Sequence, residues 1–324
     1  MRYRTLGRTG IAVSEIGHGL WGMGDWSGSD ETASVAALKA SQALGCTFYD
    51  SAWAYGRGRS DALLGRLGLG LGEGERRPVL AGKVPPKNWK WPASPNDSLS
   101  EVYPLDHVLE MAEDSCRRAG VETMDLMQLH VWDDAWAVDP GFERLAGELK
   151  DRRLCRAFGL SLNRWEPANG LKALRTGAVD AVQVIYNLFD QSPEDALFPY
   201  CAEHGVGVIA RVPLDEGSLG GGLTLETRFP EGDWRGRYFG PENLPETVAR
   251  VEALKGLLPP GASLPDVALR FILESPVVST VIVGMRSPAH IAANVAASGR
   301  PLDRGLMAQL RLHRWDRAPA DWAS

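Results

Sequence analysis

Thr47-Phe48-Tyr49-Asp50, then a helical pattern, then Pro78-Val79-Leu80-Ala81-Gly82-Lys83: two short apolar runs, each closed by a charged residue, set the reading of the whole chain. A run of this length, rich in β-branched and aromatic residues, has the pattern of a strand buried on both faces. Two such runs joined through a helix pair in parallel, because parallel neighbours need a crossover connection. The unit recurs outward. Towards the C-terminus come Asp125-Leu126-Met127-Gln128-Leu129-His130, Ala157-Phe158-Gly159-Leu160-Ser161, Ala181-Val182-Gln183-Val184-Ile185, Val206-Gly207-Val208-Ile209-Ala210 and residues 277–283. Residues 16–20 supply a shorter one on the N-terminal side, which makes eight predicted strands.

Helical patterns separate them. Asp30 caps a helix from Glu31, along which Ala33, Ala36, Ala37, Ala40 and Leu44 recur at helical spacing. Others cover 60–67, 106–119, 142–149, 167–175, 194–203, 246–257 and 288–297. Eight alternating units predict an α/β protein with a closed (β/α)8 TIM barrel. Residues 1–13 read as an N-terminal β-hairpin turning at Gly7-Arg8-Thr9-Gly10, and residues 264–274 and 303–312 as extra helices towards the C-terminus. No linker or low-complexity stretch interrupts the pattern, so residues 1–324 are expected to form one barrel domain.

Composition excludes several classes. Lys and Arg total 35 against 41 Asp and Glu, a net charge of -6 without a basic run, so nucleic acid is not an expected partner. No stretch approaches the roughly 18 apolar residues of a membrane span. The opening Met1-Arg2-Tyr3-Arg4-Thr5-Leu6-Gly7 lacks the apolar core of a signal peptide, so the expected location is cytoplasmic. Cys46, Cys116, Cys155 and Cys201 form no C-x-x-C pair and are expected to be buried thiols. No H-E-x-x-H or His-x-His occurs, and no metal is expected; G-x-S-x-G and the P-loop are absent too. Gly17-His18-Gly19-Leu20-Trp21-Gly22 matches G-x-G-x-x-G, but its helix starts only at Glu31 and Gln42 stands where the acid belongs. These glycines read instead as room for a loop near a ligand.

The 11 tryptophans are placed unevenly. Trp21, Trp26, Trp53, Trp89, Trp91, Trp132, Trp136, Trp165 and Trp234 all follow predicted strands, and Trp315 and Trp322 lie in the tail. In a βα barrel these positions share the C-terminal mouth, where ligands bind. Trp21, Trp53, Trp89 and Trp132, with Asp133, are the expected walls of a substrate pocket. Residues 85–104 form another expected wall. Residues 220–245, rich in Gly and Pro, read as a lid whose Arg235 or Arg237 reaches a phosphate.

Asp50, Lys83 and His130 end consecutive predicted strands, and Tyr55 follows five residues after Asp50. Together they suit carbonyl reduction. A phenol of pKa about 10 is a reluctant proton donor and acceptor at neutral pH. An ammonium at ~4 Å, at an effective dielectric of about 20, favours the phenolate by roughly 4 kcal/mol before desolvation opposes it. Asp50 would keep Lys83 charged, and His130 would donate to the substrate oxygen.

Asp50-Ser51-Ala52-Trp53-Ala54-Tyr55-Gly56, followed by Ser60 and Leu63-Leu64-Gly65, closely resembles the aldo-keto reductase signature, and Lys83 and His130 stand where that family keeps its other catalytic residues. The resemblance extends through Gln183-Val184-Ile185-Tyr186-Asn187-Leu188. It implies Tyr55 as general acid/base, Lys83 as its tuner, Asp50 as the lysine's partner and His130 as the orienting donor. It also implies that Ser161, Asn163 and Gln183 hold the nicotinamide amide, with Trp21 nearby. Arg211 stands where the family often has an aromatic residue against the nicotinamide. Pro213, Leu214, Gly217 and Leu219 would wrap the pyrophosphate. Gly284, Arg286, His290 and Asn294 would meet the adenosine end, and Ala293 replaces an acid often found there.

One part of that site has a reading without the family. Ser287 is a good N-cap and Pro288 a good first helical residue, so a helix with anion-binding amides starts there. Arg286 beside it suggests a 2′-phosphate, hence NADP (NADPH) over NAD. The expected activity is reduction of an aldehyde or ketone, a sugar among the candidates, or the reverse oxidation. The alternative is a non-catalytic NADPH-binding barrel acting as a sensor or regulatory subunit.

Overall fold

In a computed structural model, which describes residues 1–24, 29–67 and 76–317, the N-terminal hairpin comes first. Strands β1 (Tyr3–Thr5) and β2 (Ala12–Ser14) pair antiparallel around a 3-10 turn, Gly7–Thr9. Eight parallel strands follow: β3 (Ile16–Gly19), β4 (Phe48–Asp50), β5 (Val79–Val84), β6 (Met124–Leu129), β7 (Cys155–Ser161), β8 (Ala181–Ile185), β9 (Gly207–Arg211) and β10 (Val278–Gly284). They close in sequence order, β10 pairing with β3 through Val281↔Ile16 to Gly284↔Gly19. The predicted barrel, hairpin and extra helices are all present. Among the described residues no helix is long and apolar enough to cross a membrane.

Helix boundaries follow local chemistry. Asp30 caps Glu31–Ala43 by accepting from Ala33 N–H at 2.7 Å, and Ser287 caps Pro288–Val295 by accepting from His290 N–H. The helix expected over 167–175 begins only at Leu171. The side chains of Asn163 and Asn169 both donate to Glu166 and hold the preceding residues as a turn. Residues 220–245 carry a short helix, Arg235–Tyr238, and their own apolar cluster around Tyr238, Phe239 and Leu244.

Two apolar regions hold the barrel. The larger packs the outer face of the strands against the helices. The smaller lies inside the barrel at its N-terminal end, where Leu6, Ile11 and Val13 of the hairpin meet Phe48, Val79, Leu126 and Ile209. The hairpin is therefore a plug that closes the bottom and leaves the opposite mouth for ligands. Its turn needs glycine: Gly7 has φ +50°, and a Cβ there would lie 2.2 Å from Gly207 N. Leu6 is fully buried in this plug. Leu6→Ala should lower the unfolding free energy by about 3 kcal/mol, read from the denaturant midpoint.

Candidate active site

Barrel register brings the predicted polar residues together. Asp50 on β4 lies opposite Ala81 on β5, and Lys83, two residues on, lies opposite Gln128 on β6. Successive side chains alternate between faces of a strand, so Ala81 and Lys83 share one. Lys83 Nζ donates to Asp50 Oδ2 at 2.5 Å, to the Ser51 carbonyl at 2.9 Å and to the Tyr55 hydroxyl at 3.3 Å. Lys83 and Asp50 are almost completely buried, whereas Tyr55 is half-buried. His130, whose N–H bonds the Val84 carbonyl, turns its ring edge-on to Tyr55 with centroids 5.5 Å apart.

Gln128 and Gln183 extend the network across the barrel interior. Gln183 Nε2 donates to Asp50 Oδ1 at 2.8 Å and reaches Gln128 Oε1 at 3.3 Å. Both carboxylate oxygens of Asp50 are thus engaged. Under Ser51 lies a second buried acid, Asp61, which accepts from Ser51 Oγ at 2.5 Å and Ser115 Oγ at 2.8 Å.

The charges have definite directions. Burial would lower Lys83, but Asp50 and Tyr55 beside it outweigh burial and hold the ammonium above its ordinary range. Burial raises the Tyr55 phenol, and the opposing pull of Lys83 does not cancel it. Burial, then Lys83 and Arg211, push His130 well below its ordinary value, so its imidazole is neutral. Burial and the neighbouring Arg164 bring Arg211 down to about 10. Two buried nitrogens here, His130 Nδ1 and Arg211 Nε, have no hydrogen-bond partner among the described residues. Orphaned donors and acceptors beside a half-buried phenol suit a site that takes a polar ligand.

The aromatic residues divide into a wall and a set of corks. Trp53, Trp89, Trp91 and His130 form a run with successive centroids 6.2, 5.6 and 5.7 Å apart. Trp21, Trp89 and Trp91 keep 42%, 49% and 40% of their surface exposed, as a pocket wall requires. Trp132, expected in the pocket, is instead fully buried against Phe142 and Trp136, its indole N–H bound to Asp134 at 2.9 Å. Asp133 is likewise a capping residue, accepting from Ala135 N–H. Trp26 and Trp322 lie outside the described residues.

The expected cofactor residues are placed as follows. Ser161 ends β7 and pairs in register with Gln183, the middle residue of β8, and Arg211 ends β9, donating to the Leu162 carbonyl at 2.9 Å. Asn163 is engaged elsewhere than expected, accepting from Ala93 N–H at 3.3 Å and donating to Glu166 at 2.9 Å, which ties the Trp89–Trp91 segment to the barrel. Leu219 is wholly buried in the core, so its side chain is not a ligand contact; Pro213 is buried, Leu214 half-buried and Gly217 exposed. Gly284, Arg286 and His290 are exposed around the start of the last barrel helix, and Asn294 is buried one turn along it. A Cβ at Gly22 would meet Arg286, and one at Gly24 would come within 2.5 Å of Tyr55 Cβ, so the segment after β3 packs closely on both residues. Arg235, expected on a phosphate, pairs with Asp233 through several bonds.

The sequence profile of the Aldo/keto reductase family matches residues 15–314. The chain belongs to that family. Aldo/keto reductases are oxidoreductases that bind nicotinamide cofactors and reduce small carbonyl compounds. The reductase is 29% identical to aldo-keto reductase YhdN of Bacillus subtilis, covering 94% of this chain and 90% of that protein. It is 26% identical to the NADH-specific methylglyoxal reductase of Escherichia coli, with coverages of 92% and 93%. Its fold matches the holo form of aldo-keto reductase AKR11C1 from Bacillus halodurans with a TM-score of 0.75, 27% identity and full coverage of both chains.

Three residues of this reductase escaped sequence reasoning, and a fourth was read without its partner. Gln128 carried a signal, being polar within an apolar strand. Trp91 was assigned to the mouth but not to His130. Arg164 and Arg317 gave none, because their partners are remote in sequence.

Asp61 generates a test. Burial raises its carboxyl to about 6, against an opposing pull from the two serines and Lys83. A carboxyl raised in the folded state contributes stability that is present at pH 4 and lost as pH rises through about 6. Asp61→Asn removes that loss. The variant should gain on the order of 2 kcal/mol relative to wild type between pH 4 and pH 7.5, measured by denaturant unfolding across pH.

Proposed function

We propose that this reductase passes a hydride between NADPH and an aldehyde or ketone, with Tyr55 protonating the carbonyl oxygen. The observation that carries the reading is Lys83 Nζ, which bridges Asp50 Oδ2 at 2.5 Å and the Tyr55 hydroxyl at 3.3 Å at the open end of the barrel. The bound nicotinamide would supply the hydride. Ser161 and Gln183 would hold its carboxamide, and the unpartnered Arg211 Nε is a donor suited to the cofactor. Pro213, Leu214 and Gly217 would line the pyrophosphate path, and Gly284, Arg286, His290 and Asn294 the adenosine end.

The proton inventory favours reduction. A phenol raised above its ordinary value is protonated at neutral pH and ready to give its proton to an oxygen gaining charge. Lys83, kept charged by Asp50, stabilises the phenolate left behind. Neutral His130 can orient the substrate oxygen with a ring N–H and adds no second charge to the pocket. Trp89 and Trp91 would offer apolar faces to the substrate and shield one side of it from water.

Nicotinamide absorbance followed with NADPH and a panel of aldehydes and sugars tests the activity; no turnover with any of them would count against it. Tyr55→Phe should lower kcat by about 100-fold or more while the NADPH dissociation constant stays within about twofold of wild type. An unchanged kcat would remove the assigned role. In wild type, kcat/KM for reduction should stay level from pH 6 to 8, because His130 is already neutral and Tyr55 still protonated, and should fall only above about pH 10. A step near pH 6.5 would show that His130 titrates in the free enzyme.

Arg286 sets the cofactor preference in this reading. Arg286→Ala should raise KM for NADPH by about tenfold and leave KM for NADH nearly unchanged. Equal effects on both cofactors would remove the 2′-phosphate contact.

A further inference from the structure

Residues 311–317 lie against the loops that follow β8 and β9 and are fastened to them. Arg311 pairs with Glu194. Arg314 holds both oxygens of Asp195 at 2.6 Å, and Trp315 N–H bonds the Phe189 carbonyl at 2.8 Å. The segment includes Arg317, whose side chain is 2% exposed. One nitrogen, Nη2, donates to Asp190 at 2.5 Å and to Asp215 at 3.0 Å, and Nη1 donates to Tyr238 Oη at 2.8 Å. Asp190 lies in the loop after β8, Asp215 in the loop after β9, and Tyr238 in the short helix of the 220–245 segment. Asp190 also accepts from the Trp165 indole after β7. One guanidinium therefore gathers loops that follow three adjacent strands.

The loop after β9 needs such an anchor. Val212, Asp215 and Glu216 have φ of 54°, 43° and 55°, and Gly217 has 107°. Three of these four are non-glycine residues in the sparsely populated left-handed region, which persists only when surroundings enforce it. Asp215 is enforced from three sides, by Arg317, Tyr238 and Ser218. Glu216 is tied by Arg164 at 2.5 Å.

We propose that Arg317 is a positioning residue for the nucleotide cofactor: it holds loop 212–219 in its receiving shape without touching the cofactor. The inference rests on the cofactor path given under Proposed function. A loop fixed beforehand loses less freedom on binding, so it binds more tightly and releases more slowly. With Arg317 removed, Asp215 and Asp190 are left as buried like charges, and the left-handed turn relaxes.

The test uses the full chain and reads cofactor binding directly. NADPH dissociation constants come from tryptophan fluorescence quenching, release rates from stopped-flow, and folding from circular dichroism and the melting temperature. Arg317→Ala should weaken NADPH binding by about tenfold with faster release. KM for NADPH should rise in step while kcat at saturating cofactor falls by less than about threefold. Millimolar guanidinium should restore most of the lost affinity in this variant and have no such effect on wild type. Should Arg317→Ala not fold, Arg317→Lys carries the test: it keeps the charge, loses the planar fork, and should weaken binding by about threefold. A folded Arg317 variant with wild-type NADPH affinity overturns the inference, as does a loss of affinity that guanidinium leaves untouched. Wild-type protein that binds neither NADPH nor NADH overturns this inference and the functional reading together. Wild-type binding with an unaffected variant removes this inference alone.

Discussion

An ammonium group without exposed surface is the constraint around which the site is built. Lys83 is wholly buried, and the effective cost of placing such an ion in a protein interior is several kcal/mol. The neighbours that offset it are arranged in order. Asp50 takes the charge, the Ser51 carbonyl a second hydrogen bond and Tyr55 the third. Asp50 is itself buried and its other oxygen needs a donor, supplied by Gln183 from the far side of the barrel. Gln183 in turn leans on Gln128, the register partner of Lys83. The sequence of demands returns to its starting point only because the sheet closes. In an open sheet β8 would have no reason to face β4.

The same burial settles the state of the phenol. A lysine beside a tyrosine favours the phenolate, and without burial its pull would lower the phenol's hold on its proton. Here desolvation acts on Tyr55 more strongly than Lys83 does, and Asp50 opposes Lys83 further. The phenol keeps its proton, and the lysine's influence is deferred until a proton has left. That is the more useful arrangement for protonating a carbonyl oxygen, since the stabilising charge is already oriented when negative charge appears. His130 completes the balance by staying neutral next to two cations.

Strands and strand ends were legible in the sequence, and loop side chains were not. Parallel strands buried on both faces read as short apolar runs, so all eight were found to within a residue or two, with Asp50, Lys83 and His130 at or beside their ends. Register also sets Lys83 two residues beyond Ala81, the partner of Asp50, and so on the same face of β5. No comparable rule governs a side chain after the strand has ended. Trp132 and Trp89 both follow strands, yet one packs on Phe142 in the core and the other stands half in water. Asn163 sits two residues beyond Ser161 and turned to Ala93 and Glu166, because a segment of helical appearance had first to be held as a turn. The Arg317 contacts span 127 and 102 residues, and no local pattern signals them.

Those remote contacts resolve a conflict within the sequence itself. Asp215 and Glu216 are acids in the loop read as the path of a pyrophosphate, where negative charge should repel the ligand. The structure gives each acid an internal arginine: Asp215 is bound to Arg317 and Glu216 to Arg164. Neutralised in this way, the carboxylates no longer oppose an anion; they fasten the loop. The left-handed conformation at both positions fits the same logic, since it lets two consecutive side chains reach partners on different loops. Arg164 and Arg317 are thus committed to the protein's own acids. On the proposed cofactor path, what the loop would have left to offer an anion is its backbone, which the buried ion pairs fasten.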